Sequence, residues 1–502
     1  MGYSEPRRHR CSCDRAARPG NPGVRTLLIY PCEMSVYRGT RFEFKQTQEC
    51  LPPLNVAVLA GALVGGGHEV RAIDLQVETD HEAAIRRAVE SWRPEMVGIT
   101  FKTPVFNQAR EIAAIVRRYA PEAMIVGGGV HATYYPRECL EGTDFDAVVI
   151  GEGDRTIVRL ADGVPPEEIE NIACKRADEI VVNGKKDHDG TICPESSIHD
   201  LDELPYPDWS VFDLRRYAGV TRLFYEAAPV GFLETSRGCK GRCVFCSRGV
   251  YGTSWRPKSP RRVVDEIERM LEFGFREIEI VDDAFTTDLD RATAVCEEIL
   301  RRKLDFPWCC RNGLRVSDVS EEFFRLARRA GLHLVAFGFE TGNRKLLAEA
   351  KKGATLEKGR RAARWARRSG ITVMGYFLMG LPGETEQTLR ETIDYARSLE
   401  IDLVKYNLAI PMPGTRLHEM WRDRMKVTHW DQYNFHAPAR ELYDHPNLDW
   451  DTLEAYLRLG YRRFYLRPGY LLRQLGRLVR QRRLGISVKT ALQLVLRRGK
   501  RA

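Results

Sequence analysis

Two apolar rhythms alternate along this chain. Short unbroken apolar runs give way to stretches in which apolar positions recur every three or four residues. The first rhythm predicts buried strands, the second amphipathic helices. Between residues 25 and 160, RTLLIY (25–30), EMVGITF (95–101), AMIVGGG (123–129) and FDAVVIGEG (145–153) read as strands. LPPLNVAVLAGALVGGGHEVRAID (51–74) reads as a proline-started helix, a glycine stop and a strand ending in Asp74. HEAAIRRAVESWRP and FNQAREIAAIVRRYAP read as helices. The order predicts an α/β unit with an open parallel, Rossmann-like sheet over 25–160.

Residues 161–227 lose this regularity. DLDELPYPDWSVFDLRRY is acidic and proline-punctuated, and predicts a linker packed over the surface. From residue 228 the alternation resumes. VGFLETS, REIEIVDDAF (276–285), FPWCCRNGLRV, LHLVAFGFETG (332–342), ITVMGYFLMGLPGET (371–385) and DLVKYNLAIPMPGT (402–415) read as strands with helices between them. Six βα units over 228–420 predict a partial TIM barrel, (β/α)6, whose active mouth lies at the carboxyl ends of its strands. Residues 421–502 predict a mainly helical, basic extension, and residues 1–24 a poorly ordered leader.

Composition changes this picture in two places. The chain of 502 residues carries a formal charge of +9, yet 14 Arg or Lys and no Asp or Glu lie between Tyr456 and Ala502. The basic balance therefore belongs to the C-terminal tail. Its Arg residues are mixed with Leu, Val and Tyr, which allows three readings: packing on the barrel, peripheral contact with an anionic membrane surface, or phosphate binding. No apolar run reaches the roughly 20 residues of a membrane span. The second place is cysteine, of which there are 13, unevenly placed. A chain of this size needs no disulfide staples, so a reducing cytoplasmic setting and metal or catalytic roles are expected for clustered thiols. Cys309–Cys310 and Cys11-x-Cys13 are expected to be structural.

The candidate chemistry sits at predicted strand ends. In the first unit these are GGGVHAT (127–133) and GEGD (151–154). Glycines there allow close approach of a ligand to free amides. No GxGxxG follows the first strand, so a nicotinamide cofactor is not expected. In the second unit TSRGCKGRCVFC (235–246) places Cys239, Cys243 and Cys246 on one loop. Three thiolates suit an iron–sulfur cluster with one open iron. Zinc stays open as well, should Cys296, Cys309 or Cys310 supply a fourth ligand through the fold.

The CxxxCxxC loop after the first barrel strand, with Phe245 before its last cysteine, resembles the radical S-adenosylmethionine (SAM) superfamily. VDDAF, FGFETG, FLMGLPGET and IPMPGT resemble its later strand motifs. The first unit is similar to the cobalamin-binding domain that precedes the barrel in one large subclass. DxHxxG, whose histidine ligates cobalt in many cobalamin proteins, is absent; DHEAAI (80–85) lacks the histidine and glycine in place. The resemblance implies a 4Fe-4S cluster on Cys239, Cys243 and Cys246, with SAM on the open iron. It implies SAM contacts from Phe245, Asp282, Asp283, Arg311, Glu340 and Gly380. Cobalamin contacts would come from Gly128, Gly129, His131, Thr133, Gly151, Glu152 and Gly153. The implied activity is transfer of a methyl group from methylcobalamin to an unactivated carbon of a lipid or secondary metabolite, by way of a 5′-deoxyadenosyl radical. Radical cyclisation or carbon–carbon coupling with the same cofactors is the enzymatic alternative, and a cobalamin or cluster sensor the non-enzymatic one. The resemblance further implies a flavodoxin or ferredoxin as electron donor. No nucleic-acid partner is expected, because neither a second cluster-ligand set nor a distinct RNA-binding domain is present.

Overall fold

A computed structural model describes residues 23–32, 50–177, 179–184, 198–217, 219, 224–247, 249–433 and 439–471. The leader and most of the basic tail lie outside these residues.

Seven strands form the first sheet: β1 (Arg25–Tyr30), β2 (Glu69–Asp74), β3 (Met96–Thr100), β4 (Met124–Gly128), β5 (Ala147–Val149), β6 (Ile172–Arg176) and β7 (Glu179–Asn183). Their order is β2-β1-β3-β4-β5-β6-β7. The first five are parallel, while β6 and β7 pair antiparallel. The connecting helices are α1 (Leu54–Gly65), α2 (His81–Trp92), α3 (Phe106–Tyr119), α4 (Val130–Tyr134), α5 (Pro136–Leu140) and α6 (Asp154–Ala161). The side chain of Asp80 caps α2 by accepting from the Ala83 amide, the role its short carboxylate suits.

The stretch expected to be a surface linker is more than that. It begins with β6 and β7, which extend the sheet. It continues through Trp209, Phe212 and Tyr217, which are buried in a core shared by both units. A Cβ on Gly61 of α1 would lie 2.1 Å from the Tyr206 carbonyl oxygen, so the helix must present glycine to this segment. The segment is mortar between the units, and one apolar core runs from Leu28 and Val56 to Phe275 and Ile278.

The second sheet has six parallel strands: β8 (Val230–Leu233), β11 (Glu277–Ile280), β12 (Trp308–Leu314), β13 (Leu332–Glu340), β14 (Thr372–Met379) and β15 (Leu403–Leu408). A two-stranded ribbon of β9 (Ser236–Arg237) and β10 (Arg256–Pro257) flanks the loop after β8. The helices are α7 (Pro260–Phe273), α8 (Leu289–Arg301), α9 (Glu321–Arg329), α10 (Arg344–Glu349), α11 (Leu356–Arg368), α12 (Glu386–Ser398), α13 (Arg416–Met420) and α14 (Trp450–Tyr465). Ser259, Asp288, Ser320, Thr355 and Thr385 each cap a helix that returns the chain to the next strand. No pairing joins β15 back to β8, so the barrel is partial. α14 packs against α12 and β15, placing Tyr406, Phe464 and Tyr456 in the core. Among the described residues no helix is long and apolar enough to cross a membrane.

Candidate active site

The loop from Cys239 to Cys246 leaves the end of β8 and is held by its backbone. The Val244 amide donates to the Ala350 carbonyl, and the Val244 carbonyl accepts from the Leu417 amide. A Cβ on Gly241 would lie 3.2 Å from the Cys239 sulfur and 3.9 Å from the Cys243 sulfur, so glycine leaves the space between the thiols open. All three cysteines are free. Burial pushes the Cys243 thiol up; the charges of Lys352 and Arg315 oppose this. Burial, then the neighbouring Cys243 and Asp283, push Cys246 up to about 11.

Zinc–sulfur bonds of about 2.3 Å at tetrahedral angles would bring the sulfurs to roughly 3.8 Å. The three sulfurs do not all lie within 4.8 Å of one another; among the described residues only Glu277, Cys309 and His333 form such a trio. Cys309 belongs there, near the amino ends of the barrel strands. It shares that place with the 2.6 Å contact between His333 Nε2 and Glu277. Cys296 is buried on α8, outside the sheet. Three free thiols with no fourth cysteine on the loop fit a cluster with an open iron.

The other expected SAM residues divide into two groups. Glu340 lies at the mouth with φ +63°, an unusual conformation for a non-glycine residue, beside a register shift in the β13–β14 pairing. Its carboxylate is 2.7 Å from the Lys352 ammonium, and both side chains are largely buried. Burial works against the charge of Lys352, but Glu340 and Cys243 outweigh it and raise its pKa. A Cβ on Gly338 would lie 2.3 Å from Glu340 Oε1, so glycine makes room for the pair. The charge of Asp283 acts on the Cys246 thiol; desolvation, then Asp282 and Glu234, bring Asp283 itself up to about 6. Phe245 packs on the apolar cluster of Leu381, Ile410 and Leu417. Gly380, at φ +83°, donates its amide to buried Glu384, which fixes the turn after β14.

Asp282 and Arg311 take other positions. The Asp282 carboxylate accepts from the Thr235 amide at 2.5 Å and from the Thr235 and Ser236 hydroxyls at 2.6 Å. Those donors commit it to the base of the cysteine loop, a different task from the cofactor contact expected of it. Arg311 lies inside the barrel, with Nε 3.1 Å from Glu279 and the guanidinium over the rings of Phe224 and Tyr225.

In the first sheet, Gly128 and Gly129 end β4. Gly129 has φ +109°, and a Cβ there would meet the Phe101 carbonyl oxygen at 2.5 Å, whereas at Gly128 the nearest atom would be 3.8 Å away. Gly128 thus leaves a cradle open on the carboxyl edge, where an open α/β sheet takes its ligand. Gly151 (φ +79°) and Gly153 continue that edge before α6. Three expected contacts are used elsewhere. Thr133 bridges two strand ends, donating to the Gly129 carbonyl and accepting from the Gly151 amide, each at 2.9 Å. Glu152 is ion-paired with Arg237 at 2.7 Å and Arg256 at 3.0 Å. His131 is fully buried among Phe101, Phe106, Tyr135 and Trp430. Among the described residues neither of its ring nitrogens has a hydrogen-bond partner, and burial lowers its pKa to about 3.

Sequence reading missed Lys352, Arg315, Arg237 and Tyr134. Arg237 stood two places before Cys239, a basic residue beside a metal loop, and was the most legible of the four. Nothing in spacing marked Lys352, which the fold brings to Glu340.

A parallel sheet with a glycine cradle, followed by a partial barrel with three loop thiols, defines a cobalamin-binding radical SAM enzyme. Comparison with known proteins agrees. The radical SAM superfamily model matches residues 233–396, and the B12 binding domain model residues 45–161. An uncharacterized methyltransferase, PH0819, from Pyrococcus horikoshii is 32% identical over 84% of this chain and 90% of its own length. An anaerobic magnesium-protoporphyrin IX monomethyl ester cyclase from Rubrivivax gelatinosus is 30% identical over 84% of this chain and 75% of its own. The structure of the radical SAM methyltransferase TsrM from Kitasatospora setae, with cobalamin and a [4Fe-4S] cluster bound, is similar in fold. Its TM-score is 0.68 at 21% identity, covering 87% of this chain and 91% of that one. The chain belongs to the cobalamin-dependent radical SAM family, which holds methyltransferases and some cyclases. Its cofactors are SAM, a 4Fe-4S cluster and cobalamin.

Proposed function

We propose that this enzyme methylates an unactivated carbon of a small-molecule or lipid substrate. One observation carries the reading: the cysteine loop and the glycine edge of the first sheet meet across one interface, where Tyr134 of α4 touches Ser247. When bound, the cluster and SAM supply a carbon-centred radical and cobalamin supplies the methyl group. The chain's own work is placement and exclusion of water. Cys239, Cys243 and Cys246 hold the cluster. Lys352 and Glu340, a buried ion pair beside these thiols, are suited to the charged amino and carboxylate ends of SAM. The charge of Asp283 acts on the same loop. Gly128, Gly129, Gly151 and Gly153 give cobalamin an edge without side chains. No side-chain nucleophile is needed for transfer to a carbon radical. A reducing cytoplasm and a flavodoxin or ferredoxin donor fit free thiols of this kind. Peripheral membrane contact would rest on the basic tail, most of which lies outside the described residues.

Anaerobic reconstitution followed by turnover with methyl-deuterated SAM tests the reading. Candidate lipids and secondary metabolites should yield both S-adenosylhomocysteine and 5′-deoxyadenosine, with label in the product. The Rubrivivax relative is named a cyclase, which supports a second reading, ring closure without methyl gain. Deoxyadenosine alone, with unlabelled product, would select it.

A further inference from the structure

The cysteine loop is gripped at both ends by the cobalamin-binding domain. Arg237 precedes Cys239 by two residues, and its side chain is 3% exposed. Its Nε donates to Glu234 at 2.6 Å, Nη1 to Glu152 at 2.7 Å, and Nη1 and Nη2 to the two oxygens of Asp154, each at 3.0 Å. Glu152 and Asp154 lie after β5 of the first sheet. Glu152 passes the contact on to Arg256, the strand partner of Arg237 in the ribbon. At the other end, Ser247 follows Cys246 directly and shares a 2.8 Å hydrogen bond with the Tyr134 hydroxyl. The Tyr134 ring sits between two glycines. A Cβ on Gly249 would come within 2.3 Å of it and one on Gly414 within 2.0 Å. Tyr134 thus joins the end of β4, the end of the cysteine loop and the loop after β15.

We propose that Arg237 and Tyr134 are positioning residues that fix the cysteine loop against the carboxyl edge of the cobalamin sheet before any substrate binds. The chemistry of the two contacts fits this role. A buried ion network contributes little net stability compared with an apolar filling of the same volume, so we assign this one to fixing the loop's position. A guanidinium can serve three carboxylates at once, where a lysine cannot reproduce the fork. A ring held between two glycine backbones resists sliding because backbone cannot rotate away as a side chain can. The proposal rests on the cofactor assignment and is independent of the methyl-transfer reading.

Hydrogen exchange of the full-length chain tests it without substrate. In Tyr134→Ala, exchange over residues 244–252 should rise by roughly tenfold or more while α8 keeps its protection. In Arg237→Lys, residues 150–156 and 234–241 should lose protection together. Tyr134→Phe, which keeps the ring but loses the Ser247 hydrogen bond, should raise exchange over the same residues by less than Tyr134→Ala does, and the loop variant Lys240→Ala should stay close to wild type. After loading with cluster and cobalamin, the magnetic coupling between reduced cluster and cob(II)alamin should weaken or become heterogeneous in both variants, with iron and cobalt content unchanged. Exchange within about twofold of wild type in both variants, or an unaltered coupling, overturns the proposal. Should Tyr134→Ala fail to fold, Tyr134→Leu replaces it, and the same two outcomes decide.

Discussion

The two sheets of this protein end in opposite ways. The central strands of the first, such as MVGIT and MIVGG, are nearly pure apolar runs, and glycines line the carboxyl ends of β4 and β5. The barrel strands bring Glu277, Glu279, Arg311 and Glu340 inward, and their mouth is thiols, carboxylates and cations. A glycine edge takes a large ligand by shape, because the absent side chains are the space. A charged mouth takes a small zwitterion and a metal cluster by paired charge. One fold principle, ligands at strand ends, serves both kinds of recognition, and the residue type at each end tells them apart.

Breaking the charged side has the largest effect. Replacing any of Cys239, Cys243 or Cys246 by Ser should abolish 5′-deoxyadenosine formation and lower the iron content, read by product assay and metal analysis. Next comes Lys352→Met, which leaves Glu340 buried without its partner. Breaking such a pair costs about 3 kcal/mol or more, and denaturant unfolding of the full chain should register it. The double variant with Glu340→Gln should recover most of the loss.

The apolar side carries smaller effects. His131 is neutral in the fold, with a pKa of about 3 against an ordinary 6.5. A base with a lowered folded pKa contributes stability above its ordinary pKa and loses it as pH falls towards the folded value. Stability should therefore fall between about pH 6.5 and pH 3, by on the order of a few kcal/mol. Thermal melts across that window should show a shallower slope in His131→Phe. Finally, Gly128→Ala should leave stability within roughly 1 kcal/mol, because the site is open, yet weaken cobalamin binding in a titration. Gly129→Ala, by contrast, should destabilise the fold itself. Equal cobalamin affinity in Gly128→Ala and wild type would remove this glycine from the cradle.

Much of the fold was legible in the chain because strands buried on both faces must be apolar throughout, and RTLLIY and LHLVAFGFE could be little else. IACKR and EIVVN were not legible. They are short and half-polar, and pair with each other as a hairpin that extends the edge beyond β5. Prolines over 205–207 suggested a surface strap. Trp209 and Phe212 are buried because two units happen to close around them. Lys352 was invisible for the same kind of reason, because only the fold brings it to Glu340.

Sequence alone determined the order of strands and helices, the three thiols on one loop and the glycines at two strand ends, since each depends on residues near one another in the chain. Tertiary structure decided which polar groups meet. Asp282 and Asp283 are neighbours of the same type, yet one is buried and tied down by Thr235 and Ser236 while the other is exposed and its charge acts on Cys246. Adjacent side chains at a strand end leave in different directions, and only the packing around each shows which one has spare oxygens.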